Sequence, residues 1–136
     1  MTESDKKLLL TDLSARLPYG IICTGKFCDA CKITQIDIDA RSGRVEVYYF
    51  DYNDFGVIED CKPYLRPLSS MTEKETEKFR EYGVNLIKQH NFDDSPFSNF
   101  YVMSLSIDWL NANHFDYREL IEKGLALEAP EDMYKD

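Results

Sequence analysis

The stretch Ile33–Tyr52, ITQIDIDARSGRVEVYYFDY, constrains the fold of this chain more than any other part of it. Ile36, Ile38 and Ala40 alternate with Asp37 and Asp39, and Val45, Val47 and Tyr49 alternate with Glu46, Tyr48 and Phe50. Successive side chains of a strand point to opposite faces, so both runs read as strands. Between them Arg41-Ser42-Gly43-Arg44 is short and polar, with a glycine able to take the positive φ that a tight loop demands. The stretch is a β-hairpin.

The flanking sequence supplies what would pack on it. Ser4–Leu17 predicts a helix with Ser4 as N-cap and Leu9, Leu13 and Leu17 on one face beside Leu10; Pro18 disfavours helical geometry at Leu17 and ends it. Tyr19–Phe27, with Ile21, Ile22 and Cys23, supplies a first strand and makes the hairpin a three-stranded antiparallel meander. Asp51–Asp60 holds Asp51, Asp54, Glu59 and Asp60 with no base, and Asn53 and Gly56 favour turns, so it reads as a surface loop. Pro63 and Pro67 restrict any fourth strand within Cys61–Leu68 to a sheet edge. Thr72 and Glu75 form a capping-box pair that opens a helix to about His90; its apolar face of Phe79, Tyr82 or Gly83, Leu86 and Ile87 is expected against Ile36, Ile38, Val45 and Val47. Asn91–Asn99 reads as a loop and Leu105–Ala112 as a short helix around Trp109. A last helix is expected from Asp116 as N-cap, with Glu119 three residues on, Phe115 stapled to Leu120, and Gly124 as the left-handed C′ residue, with Leu125 able to touch Leu120. The tail 130–136 is expected to fray. Strands early and helices late give an α+β fold: a single domain over 1–136, a three-stranded antiparallel meander with room for a fourth edge strand, packed against three to four helices.

Composition narrows the partners. A net charge of −9 repels nucleic acid, whose binding depends on Lys and Arg, and favours a basic protein partner. No apolar run approaches the roughly 20 residues that span a bilayer. The opening MTESDKKLLLTDL lacks the apolar core of a secretory signal, so a cytoplasmic location away from membranes is expected.

The segments YLRPLSSMTEKE (Tyr64–Glu75) and IDWLNANHFDYRELIEKGLALEAPEDMYK (Ile107–Lys135), with the opening LLLTDLSARLPYG, resemble small uncharacterised proteins of gut anaerobic bacteria, their phages and mobile elements. The resemblance covers about the C-terminal half and the opening, and implies neither an activity nor catalytic residues. The FCDACK stretch is not a feature of that group.

The cysteines are the first candidates for chemistry. Cys23, Cys28 and Cys31 cluster in sequence, and Cys28-Asp-Ala-Cys31 is a CxxC. Two such thiolates can hold a tetrahedral zinc, with Cys23 and Cys61 completing four ligands. A redox CxxC instead sits at a helix N-terminus, whereas this one leads into a strand, so four reduced, metal-free thiols are expected. The pair Asp37 and Asp39 suggests a calcium loop, but Ser42 and Tyr48 stand where an EF-hand needs Gly and Glu. His90 and His114 occupy ordinary helix-end positions, and no Gly-rich phosphate loop is present. No catalytic residues emerge, and an enzyme is not the favoured reading.

Aromatics are the stronger anomaly. Tyr48, Phe50 and Tyr52 share the Glu46 face if the third strand continues, next to Asp51 and Asp54. Either helices cover both faces or this face binds a partner, since Tyr and Phe are enriched at interfaces; Phe97, Phe100 and Tyr101 pose the same choice. The expectation is a cofactor-free protein-interaction module of phage or mobile-element type, binding another protein or a second copy of itself as a homodimer. The alternative is a small zinc-binding or enzymatic module built on Cys23, Cys28 and Cys31.

Overall fold

A computed structural model describes residues 1–90 and 96–135, apart from the side chains of 84–90, 96–99 and 101. Among them run three helices, Glu3–Arg16 (α1), Glu73–His90 (α2) and Pro96–Ala112 (α3). The strands are Ile22–Gly25 (β1), Cys28–Ile38 (β2), Val45–Tyr49 (β3), Asp54–Val57 (β4), Lys62–Pro67 (β5), Phe115–Asp116 (β6) and Leu127–Glu128 (β7). Their order is β4-β3-β2-β1-β5-β6, with β7 also on β5. The pairings among β1–β5 are antiparallel, while β6 and β7 run parallel to β5. The fold is α+β as expected, but the meander has four strands and belongs to a larger mixed sheet.

The hairpin forms where the alternation placed it, with Ile36 opposite Val47 and Ile38 opposite Val45. Gly43 takes φ +74°, and the Asp39 carboxylate accepts hydrogen bonds from Arg41 N (2.9 Å) and Ser42 Oγ (2.8 Å). Asp39 is therefore a turn-closing group, and these bonds hold its pKa below the usual value. Val45, Val47 and Tyr49 are buried, Ile36 is half-buried, and Ile38 is 56% exposed because it stands at the far end of the hairpin.

The long strand β2 departs most from the sequence reading. Against β1 the register passes from Cys23↔Cys31 to Gly25↔Cys28, and against β3 from Ile33↔Tyr49 to Gln35↔Tyr48. In both places β2 carries one extra residue, a bulge that turns the following side chains to the other face. Its buried side chains therefore fall at Cys28, Cys31 and Ile33, with Ile36 half-buried, a spacing that hides a strand from a period-two search. Between β1 and β2 the turn is only Lys26-Phe27.

Asp51–Asp60, expected to be loop, holds a 3-10 turn at Phe50–Tyr52, strand β4 and a second 3-10 turn at Ile58–Asp60 with Ile58 fully buried. Strand β5 is internal rather than an edge. It is paired over 62–63 with β1 on one side and over 64–67 with β7 and β6, so neither proline interrupts a continuous ladder.

Among the described residues, the helix that enters the main core is α1, through Leu9 and Leu13, which cluster with Ile21, Cys23, Ile33, Val47, Ile58, Leu65, Leu120 and Leu125. Its N-cap is Thr2, in a reciprocal box with Asp5. The Thr72–Glu75 box is present at the start of α2, with Glu75 N–H on Thr72 Oγ1 (3.1 Å) and Thr72 N–H on Glu75 Oε1 (3.2 Å). However, α2 lies on α3, with Phe79 and Trp109 rings 5.1 Å apart, instead of covering the meander. Leu86 and Ile87, expected there, lie outside the described side chains. Helix α3 starts at Pro96, earlier than Leu105, because proline suits the first helical position; of the expected loop 91–99, residues 91–95 lie outside the described ones.

The expected last helix is a compact turn. Asp116 caps as foreseen, accepting from Leu120 N and Ile121 N at 3.0 Å, but Glu119 at φ +62° breaks any continuation. Gly124 takes φ +75°, and Leu120 and Leu125 are buried together. The tail, expected to fray, carries an anchor. Tyr134 Oη donates to Tyr64 O (2.7 Å), accepts from Ile22 N (3.1 Å), and its ring stacks on His114 at 3.6 Å.

Candidate functional site

The open end of the sheet, at β4, is where exposed aromatic surface collects. The two-residue turn between β1 and β2 lifts Phe27 into solvent, and the turn after β3 reverses the chain through Asn53 at φ +53°, setting Tyr52 and Phe55 beside it. Phe27 is 76% exposed, Tyr52 57% and Phe55 42%, against the usual burial of such side chains. They line a cleft of about 300 Å³ with Gly25, Lys26, Cys28, Arg44, Tyr49, Asp54, Gly56, Val57 and Asp60.

Tyr49 forms the floor, and two glycines make room for it. A Cβ at Gly25 would stand 2.5 Å from Tyr49 Oη, and one at Gly56 2.9 Å from Tyr49 Cε2. Either addition would push the ring out of place, so both positions need glycine for close approach rather than for turning.

The residues singled out from the sequence fall in three places. Strand β3 ends at Tyr49, so Tyr48, Phe50 and Tyr52 do not form the expected row. Tyr48 is half-buried, packs its ring 5.1 Å from Phe55 and donates its hydroxyl to Asn53 Oδ1. Phe50 is 61% exposed but turns away into a separate depression with Ile22, Ala30, Lys32 and Met133. Asp51 is spent on structure, accepting from Lys32 N at 3.1 Å. Only Tyr52 and Asp54 belong to the cleft. Asp54 also takes the Phe55 N–H at 2.8 Å, which removes that donor from any strand that would add to β4. Phe27, Tyr49 and Phe55 were missed: Phe27 lies in a turn and Phe55 in a strand read as loop, while Tyr49 follows the alternation but on the face of Val45 and Val47 that was not singled out as a site.

All four cysteines belong to the core, and Cys28 lines the cleft as well. The β1–β2 bulge brings Cys28 onto the face of Cys31, and Cys23 is the direct cross-strand partner of Cys31. Extending the β1–β5 register by one residue sets Cys61 opposite Gly25, on the face of Cys23. Cys28 and Cys31 are joined in a disulfide, while Cys23 and Cys61 are free and buried. The expectation of four reduced thiols is corrected for the CxxC pair. Two of the four cysteines weighed as zinc ligands are bonded to each other, and among the described residues no group of three or more His, Cys, Asp or Glu is arranged to hold a metal ion. Closing so short a loop, inside a strand already laddered on both sides, adds at most about 2 kcal/mol.

The Tyr49 hydroxyl is buried with no hydrogen-bond partner, beside Cys61 and Cys23. Burial, with Cys61 beside it, pushes the phenol well above its ordinary range. Burial and the neighbouring Cys61 likewise raise the Cys23 thiol, whereas hydrogen bonding from Cys23, with Tyr49 adding to it, draws the Cys61 thiol down. The cluster thus holds one thiol disposed to ionise next to one disposed to stay protonated.

No family model, curated protein or solved structure matches this chain.

Proposed function

We propose that the protein works by binding another protein, and that the aromatic cleft at the β4 end of the sheet is the docking surface. The observation that carries this reading is the group Phe27, Tyr52 and Phe55, all exposed around one apolar cleft whose floor, Tyr49, is rigidly seated between Gly25 and Gly56. Aromatic anchors at a preformed concavity are the common composition of interaction hot spots. Within the lining, Lys26 and Arg44 offset Asp54 and Asp60, so the cleft itself is near neutral. The net charge of −9 then selects the sign of the partner, favouring an extended basic segment that presents an apolar side chain.

A homodimer formed by pairing β4 edges is less favoured, because Asp54 occupies the Phe55 N–H and two copies at −9 repel.

Light scattering on the purified chain, together with affinity capture from the source cell by the wild type and by Phe27→Ser/Phe55→Ser, tests this. The reading predicts a monomer, and a basic protein retained by the wild type and lost by the variant. A dimer dissociated by the same substitutions would assign the cleft to self-association. Equal retention by both forms would remove the cleft from the interaction.

A further inference from the structure

We propose that the four cysteines form an internal thiol–disulfide relay, in which the disulfide moves between Cys28–Cys31 and Cys23–Cys31 and thereby presents or withdraws a free Cys28 sulfur at the wall of the cleft.

The geometry for the exchange is already built. Cys23 and Cys31 are directly paired across antiparallel strands. The Cα spacing of either kind of antiparallel pair, about 4.5 or 5.5 Å, falls inside the span a disulfide bridges, about 4.4–6.8 Å. The existing bond spans 6.3 Å between Cα atoms, so Cys31 can be bridged from either side with the strands in place. Cys28, at the other end of that bond, lines the cleft, while Cys23 and Cys61 are fully buried. A disulfide that adds little by loop closure has no evident purpose as a staple. The Tyr49 hydroxyl, buried beside Cys61 without a hydrogen-bond partner, is a spare donor for a thiolate formed there.

The step balances without an outside reagent. The exchange runs from the ionised form of Cys61, whose thiolate takes the Cys23 proton. Cys23 Sγ attacks Cys31 Sγ as its proton passes to Cys61. The Cys23–Cys31 bond forms, the Cys28–Cys31 bond breaks, and Cys28 leaves with the electron pair as a thiolate at the cleft. One disulfide, one thiol and one thiolate stand on each side, so nothing is oxidised or reduced overall. The direction of attack follows thiol–disulfide exchange generally, in which the released sulfur is the one better placed to carry charge near solvent.

The tryptic map separates the two states. Cleavage after Arg16, Lys26 and Lys32 leaves Cys23 in one peptide and both Cys28 and Cys31 in the next. Purified protein, kept free of added thiols, is quenched in acid and its free thiols are alkylated before digestion. The proposal predicts two species: FCDACK closed on itself, and a minor cross-linked pair joining it to the Cys23 peptide with Cys28 alkylated. Incubating the native protein with a maleimide should drain it into the second species, because alkylated Cys28 cannot return. In Cys23→Ala, checked for folding by circular dichroism, the cross-linked peptide and the Cys28 labelling should both be lost; Cys61→Ala should slow the labelling and keep the cross-link. The proposal is overturned if the wild type yields only the closed peptide after prolonged maleimide treatment, if Cys28 is labelled equally in Cys23→Ala, or if elemental analysis finds about one zinc per chain with all four cysteines unbonded.

Discussion

Asp12 and Arg16 are fully buried one helical turn apart, and neither drew notice in the sequence, where a charged pair at i, i+4 reads as an exposed helix face. Here the pair is a junction. Asp12 accepts from Arg16 Nε and from Arg118 Nη1, both at 2.8 Å, while Arg16 Nη2 donates to Phe115 O at 2.6 Å, tying α1 to the C-terminal segment. Removing the acid strands a buried cation, so Asp12→Ala should lower the unfolding free energy by about 3–5 kcal/mol, measured by urea denaturation. A second buried group makes stability pH-dependent. His114 has φ +64° and stacks on Tyr134; burial, and then the nearby Arg16 and Arg66 charges, lower its pKa from 6.5 to about 4. The folded state therefore favours the neutral ring. Its contribution is complete above pH 6.5 and is lost as pH falls through 6.5 toward 4. The Arg66-bound Glu75, lowered to about 2, also favours the fold above its ordinary pKa of 4.5 and loses that contribution below it, outside most of this window. Urea midpoints at pH 7 and pH 5 should diverge for the wild type and draw together in His114→Asn, since Asn tolerates the left-handed backbone and does not titrate.

At the scale of elements, what could be read depended on whether a pattern stayed in phase. The β3 alternation and the Thr72–Glu75 box are local and uninterrupted, and both are where the sequence puts them. Strand β2 is not, because two bulges give it the buried spacing Cys28, Cys31, Ile33, which resembles neither a strand nor a helix. The same shifts hid the cleft, since Phe27 and the Cys28–Cys31 pair owe their places to that strand. The C-terminal turn shows the opposite failure. Asp116 still caps and Gly124 still takes a left-handed φ, but they bound a single turn, because Glu119 adopts a left-handed φ and not a helical one. Burial of Leu120 survives the change of element. Leu120→Ala should cost about 2–5 kcal/mol in a denaturant melt, and a cost below roughly 0.5 kcal/mol would place the turn on the surface.

For the whole molecule, fold class was within reach of the sequence and architecture was not. The entry of α1 into the core rests on Leu9 and Leu13 meeting Ile58 and Leu120 from distant parts of the chain. Besides the separate depression at Phe50, exposed apolar side chains among the described residues gather at the cleft at β4 and at the α3 surface carrying Phe100 and Met103, exposed by 64% and 57%. Binding is proposed at the cleft, where a concavity accompanies the exposed rings. Hydrogen–deuterium exchange of the protein, alone and saturated with the basic protein it retains, tests that choice most directly. Slowed exchange confined to residues 25–28 and 49–57 is predicted, and protection centred on α3 around Phe100 and Met103, with the cleft unchanged, would contradict it.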